Sequence, residues 1–364
     1  MTSPFDLPPT DPTIAEFHAD FGLSGEAKSA PLPAGFVEWD GKLITQPGAY
    51  RDVPIGRYHG AEVCAGPSIS GSGLKILTGD KGQRSKGRTP RHYWEQSNLN
   101  PNRRKLDTAA LRMGRAFHDC LLLPSMWTGP ESAYHRLPEG FSRAVKVKMA
   151  AEIAEADAAI EAGLCVVTVA EVERIEAMAA AMRGDPLISS LIRTGEAEVT
   201  LAWQDKETGV WCRARPDHMM AKRTYAMNVK TDADASWDGF SKSIGKYAYA
   251  QSAALELAGY EAVFGERPSA FFLPTVEKPG AAWMPGDFIA TALYQIPEED
   301  IARGEWLNRA ALRTFADCLA ADKWPSYTPE PTLCGIPGYL RKIIDEGGQA
   351  EAADDQPDEQ GEDA

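Results

Sequence analysis

Several things are scarce in this chain of 364 residues, and each scarcity removes a class of function. No apolar run approaches the about 18 residues that a membrane span requires, so no membrane association is expected. The opening stretch "MTSPFDLPPTDPT" has neither a basic n-region nor an apolar h-region, so it does not read as a secretory signal and a cytoplasmic location is expected. The six cysteines (Cys64, Cys120, Cys165, Cys212, Cys318 and Cys334) include no CxxC pair, and the nearest two are sixteen residues apart. That spacing argues against a zinc ribbon, a disulfide framework and an iron–sulfur cluster, and for reduced thiols. The Gly-rich strings "SGSG" and "GDKGQ" are not followed by GK[ST], so there is no triphosphate-binding loop.

Basic charge is also scarce overall, with a net charge of −14. The deficit is local. Residues 345–364 hold nine acidic and no basic side chains, and residues 1–50 hold seven acidic and two basic, which leaves 51–344 near neutral. Within that body, residues 75–105 carry nine Lys or Arg against two acids, beside His92, Tyr93 and Trp94. Such a surplus is either a solvated loop or a phosphate-binding footprint. The acidic end is either a solvating tail or an element that mimics DNA charge.

The organisation expected is a Pro- and acid-rich arm over 1–34, one folded domain over 35–342 and a disordered acidic tail over 343–364. In "DTAALRMGRAFHDCLLLP" the apolar residues Leu111, Ala116, Cys120 and Leu123 recur at helical spacing, with Asp107 or Thr108 as cap. Thr168 and Glu171 form a capping-box signature for another helix. The period then changes to two in "AEVTLAWQ", "VWCRARPDHMM" and "TYAMNVKT", which predicts three strands. One helix is predicted from Trp237 to Phe264, then strands at "SAFFLPTVEK" and "DFIATALYQIP", then a closing helix over 299–321. Helices before a small antiparallel sheet, with a further helix packed on it and edge strands completing it, make an α/β domain of mixed type.

Asp217 of "RPD" is followed eleven residues later by Asn228 of "NVK", with Lys230 two further on. Strands joined by the turn "AKRT" would bring Asp217 to Asn228 and Lys230. A carboxylate there suits a hard cation such as Mg²⁺, and a lysine offsets charge developing on a phosphate. Metal-dependent nucleases of the PD-(D/E)xK type carry this pattern with an acid at the position of Asn228. Taken alone the string is short enough to arise by chance on a surface.

Further segments make a resemblance. "PGAYRDVPIGRYHG", "SISGSGLKIL", "TPRHYWE", "TAALRMGRAFHDCLLLP", "AEVTLAWQDKETGVWCRARPD", "VKTDADAS", "YAYAQSAAL", "FFLPTVEKP" and "KWPSY" occur in order over residues 47–328. Together they resemble phage and prophage exonucleases of the exonuclease VIII (RecE) kind, in the PD-(D/E)xK superfamily. The resemblance implies a restriction-endonuclease-like α/β core with a mixed central sheet flanked by helices. It implies Asp217 as metal ligand and Lys230 as catalytic lysine, with His118 facing the metal, Glu198 as a further metal ligand, and Gln251 supporting the site. Tyr247, four residues before Gln251, would share its helical face. The ion would be Mg²⁺, or Mn²⁺, and no organic cofactor is implied.

The function so implied is end resection of double-stranded DNA, 5′ to 3′, by a homo-oligomeric ring that works with a RecT-like annealing protein. Arg84, Lys86, Arg88, Arg91, Arg213 and Arg215 are the candidate phosphate contacts. Asn228 departs from the family's aspartate: an amide oxygen can ligate but adds no charge, which weakens ion binding. A deliberate Asp→Asn change and a lineage that has shed catalysis both fit. In the second case the chain is a silent DNA-binding or scaffold protein with a nuclease fold. A CRISPR-adaptation-type nuclease is disfavoured, because the flanking cysteines expected of it are absent.

Overall fold

The computed structural model describes residues 35–78, 88–103, 108–130, 132–193, 195–220, 223–327, 330–331 and 333–354, with backbone alone from 347 onward. The expected arm over 1–34, most of the basic loop 79–90, Asp107 and residues 355–364 lie outside the described residues. The chain divides after Trp324 into two compact units, the second being residues 325–364. That second unit contains the helix Gly338–Asp354. Leu340, Ile343 and Ile344 give the start of that segment a helical apolar spacing before the acids take over.

The first unit is α/β with mixed sheets and flanking helices, as expected. One five-stranded sheet orders β1 (Phe36–Glu38), β2 (Gly48–Arg51), β7 (Thr200–Gln204), β8 (Trp211–Ala214) and β3 (Ser68–Ser70). A six-stranded sheet contains β6 (Glu196–Ala197), β9 (His218–Met219), β10 (Tyr225–Met227), β11 (Lys230–Asp232), β12 (Ala270–Glu277) and β13 (Thr291–Gln295). In it β10 and β11 run parallel to β12, while β13 and β9 pair antiparallel with their neighbours. A two-stranded sheet joins β4 (Tyr134–Arg136) and β5 (Cys165–Val167).

The three strands read from period-two patterning are each broken near their middle, and the breaks build the site. The hairpin keeps one register throughout, with Leu201 opposite Ala214 and Ala197 opposite His218. Between these points Glu198 turns to φ +56° and Pro216 removes a donor, so the ribbon leaves one sheet and enters the other. The third strand breaks between Met227 and Lys230, yet both halves hold one register on β12. At that level β12 carries Pro274, which has no N–H for the ladder.

Helix α1 (Ala109–Leu122) starts at Thr108, whose hydroxyl accepts from the Leu111 N–H at 3.3 Å. It buries Ala116, Phe117, Cys120 and Leu121, whereas Leu111 of the expected stripe is exposed. Helix α2 (Val169–Gly184) begins with the predicted capping box, Thr168 and Glu171 bonding each other's backbone. Both helices cover the six-stranded sheet, packing Phe117, Leu121, Met178 and Met182 against Tyr225, Met227 and Phe272.

The predicted helix Trp237–Phe264 is two helices, α3 (Trp237–Tyr247) and α4 (Tyr249–Phe264), separated by Ala248 at φ +55°. Helix α4 lies on the five-stranded sheet with α5 (Glu298–Ala321) beside it, burying Leu255, Leu257 and Tyr260 with Leu201, Trp203, Leu312 and Phe315. Each such side chain contributes about 1.5–3 kcal/mol on burial. The approach is close: a Cβ at Gly259 would stand 2.7 Å from the Trp203 ring. The six cysteines form no disulfide, and no described helix is long and apolar enough to cross a membrane.

Candidate metal centre

Asp217 occupies the bend between β8 and β9, and register decides its neighbours. Continuing the hairpin register places Glu198 directly across from it on one side, and the Glu198 N–H donates to the Asp217 carbonyl at 3.2 Å. Continuing the register between β9 and β10 places Asn228 across from it on the other side. There the Asp217 N–H donates to Asn228 Oδ1 at 3.0 Å. Lys230 follows on β11, with Nζ 3.7 Å from Asp217 Oδ2 and 3.0 Å from the Val229 carbonyl. From α1, His118 Nδ1 reaches to 3.5 Å from Asp217 Oδ1.

One ligand atom each of His118, Glu198 and Asp217 lies within 4.8 Å of the others. This group is largely sheltered, with the Asp217 side chain 14% exposed. Burial, and then the charge of Asp217 opposite, push the Glu198 carboxyl up to about 8, while Arg215, 4.0 Å away, opposes the shift. Like charges facing across a strand pair are unfavourable unless a proton or a cation lies between them.

The structure also shows members that no motif pointed to. Glu256 of α4, 7% exposed, accepts from Asn228 Nδ2 at 2.7 Å through Oε1. Burial pushes its carboxyl up to about 8, against the lowering pull of the Asn228 hydrogen bond. The ring of Tyr249 lies 5.3 Å from Lys230 Nζ, and burial raises its phenol far above the ordinary range. Glu256 was legible in principle: it is a lone charge between Leu255 and Leu257 in "SAALELAGY". A charge in such a run needs a buried partner.

The other predicted residues fall elsewhere. Arg213 is 5% exposed and donates to the Ser68 carbonyl at 2.9 Å and to the Ser68 hydroxyl. Arg215 donates to Thr200 Oγ1 and, at 2.7 Å, to the Val53 carbonyl, with its guanidinium 4.4 Å over the Tyr58 ring. Both arginines brace the bent hairpin from inside, which corrects their reading as phosphate contacts. Tyr247 and Gln251 do not share a continuous helical face, because the left-handed turn at Ala248 interrupts the register. Tyr247 stacks on Tyr249 instead. Gln251 is 3% exposed, its carbonyl accepting from Asn308 and its Nε2 without a hydrogen-bond partner. Arg88 and Arg91 are exposed, and Arg91 pairs with Glu95 at 2.5 Å. Arg84 and Lys86 lie outside the described residues.

The donor set fits a divalent cation. Asp217 Oδ2 is buried and has no hydrogen-bond partner. Two carboxylates with one imidazole suit Mn²⁺ and, with waters completing the shell, Mg²⁺. His118, Glu198 and Asp217 would hold the ion.

In sequence, no curated protein matches the chain. In structure, it resembles a protein assigned as an exonuclease from Eubacterium rectale, with a TM-score of 0.50 and 13% identity over 76% of this chain and 92% of that one. A phage-related exonuclease from Haemophilus somnus is also similar, at 13% identity over 70% of this chain and 96% of that one, with a TM-score of 0.26 that adds nothing to the fold assignment. The pattern of the PDDEXK-like domain of unknown function (DUF3799) matches residues 92–341, more than half of the chain. The chain belongs to this PDDEXK-like family.

Proposed function

We propose that the protein is a Mg²⁺- or Mn²⁺-dependent deoxyribonuclease that degrades double-stranded DNA from its ends. The observation that carries this is the convergence of His118, Glu198 and Asp217 with Lys230 3.7 Å from Asp217. When bound, the ion supplies Lewis-acid polarisation of the phosphodiester and a more acidic water. The chain's own residues do the rest. His118, Asp217 and Glu198 would hold the cation, and the Asn228 amide accepts from the Asp217 backbone N–H. The Lys230 ammonium, steadied by the Val229 carbonyl, offsets charge that develops on the phosphoryl oxygens.

Exposed basic side chains supply backbone contacts. Arg115 stands three residues before His118 and so on the same face of α1. Arg88 and Arg91 are exposed as well, and Arg91 pairs with Glu95. The 5′ to 3′ polarity, the homo-oligomeric ring, the RecT-like annealing partner, the recombination role and the cytoplasmic setting extend this reading from the resemblance.

Asn228 supports a second reading, a DNA-binding protein with a nuclease fold and little or no cleavage. Incubating end-labelled linear and closed circular duplex with Mg²⁺ or Mn²⁺ separates the two. Nucleotide release from the linear form alone, abolished in Asp217→Ala and Lys230→Ala, supports the exonuclease. Duplex binding without release from any form sinks it in favour of the second reading.

A further inference from the structure

We propose that Asn228 and Glu256 act as one unit, in which Glu256 supplies to the metal centre the negative charge that position 228 lacks. The inference deepens the metal-centre reading above and rests on it. Three observations carry it.

The first is complementarity at Asn228. Its two faces meet opposite demands: the Asp217 N–H needs an acceptor, and the Glu256 carboxylate needs a donor. An amide serves both at once. An ionised aspartate here would stand 2.7 Å from the Glu256 carboxylate whenever Glu256 is ionised too, in a site only 7% exposed at either residue. The asparagine is therefore matched to the Asp217 N–H and to the Glu256 carboxylate.

The second is that Glu256 has capacity to spare. Its Oε2 is buried with no hydrogen-bond partner, as is Oδ2 of Asp217. An isolated carboxylate in such a place is costly unless a cation shares it. The third is reach. The Glu256 charge is felt at Glu198 and interacts with both Asp217 and Lys230, so it belongs to the electrostatics of the same centre. Glu256 acts as a positioning residue: it orients the amide that holds Asp217 and adds charge behind it.

The test compares Mn²⁺ binding, by calorimetry and by Mn²⁺ spin resonance, in the full chain, Glu256→Gln, and the double exchange Asn228→Asp with Glu256→Gln. The double exchange keeps one amide and one carboxylate in the same bonded pair. Glu256→Gln is expected to weaken Mn²⁺ binding by about 10- to 100-fold, the range for partners behind the ligands. The double exchange is expected to restore binding to within about threefold, because the pair's charge returns. Full-strength binding by a folded Glu256→Gln overturns this inference alone, as does a folded double exchange that stays weak. If Glu256→Gln does not fold, the double exchange against the unaltered chain decides by the same threefold criterion. An unaltered chain that binds no Mn²⁺ overturns the metal-centre reading and this inference with it.

Discussion

Glu198 and Asp217 face each other across a bent β-hairpin, two carboxylates joined by a backbone hydrogen bond of 3.2 Å. Their opposition is built by register, and it is held by a left-handed turn at Glu198 and by two buried arginines. Burial and this opposition raise the Glu198 carboxyl to about 8.

Stability of the metal-free protein should fall as pH rises from about 6.5 to 8. Glu198 and Glu256 are raised from 4.5 to about 8 in the fold. Protonated, they favour the folded state, and that stability is lost as pH climbs through 8. His59 and His218, lowered by burial from 6.5 to about 4, act the opposite way, but only below 6.5. Thermal melts in chelator across pH 5–8.5 check this, with each pK unit worth about 1.4 kcal/mol. Glu256→Gln should flatten the upper limb; a wild-type limb already flat counts against it.

Lys230→Ala should lower the rate of nucleotide release by at least about 100-fold, since one lost preorganised charge costs on that scale. It is expected to leave Mn²⁺ binding intact, because Lys230 repels the ion. Paired rate and calorimetric measurements separate these effects. A variant that loses ion binding as well makes Lys230 a structural residue.

Arg215→Ala and Arg115→Ala should behave in opposite ways. The first strands the Val53 carbonyl and Thr200 hydroxyl in the interior and should cost about 3 kcal/mol of stability. The second removes an exposed charge and should leave the melt within about 0.5 kcal/mol. It is Arg115→Ala that should weaken duplex binding and reduce the salt slope by about one. Equal salt slopes for Arg115→Ala and the unaltered chain exclude Arg115 as a phosphate contact.

Ala248→Gly should stabilise the fold by about 1 kcal/mol. Ala248 sits at φ +55°, a conformation that costs an L-residue about 1–2 kcal/mol and glycine almost nothing. Chemical denaturation measures it; a loss of stability would show that the turn between α3 and α4 is not strained.

Pro-Asp before a turn and a lysine at a fixed offset are visible in the sequence, but it was the resemblance carried by many segments that pointed to them and to His118. The α/β class followed from the change of hydrophobic period after residue 196. Less legible were the breaks. Glu198 and Ala248 take positive φ although neither is a glycine, so nothing local announces them.

The sequence by itself determined much of the order of helices and strands and the caps at Thr108 and Thr168. Those depend on periodicity and on short-range hydrogen bonding, which neighbouring residues specify. Tertiary structure alone decided which charges face solvent and which face each other. Arg213 and Arg215 read as basic surface until β3 and the Val53 carbonyl close over them. Glu256 becomes part of the centre only when α4 packs across the sheet and brings it, 28 residues along the chain, to the amide of Asn228. Desolvation and pairing depend on what lies across space, and no local pattern encodes that.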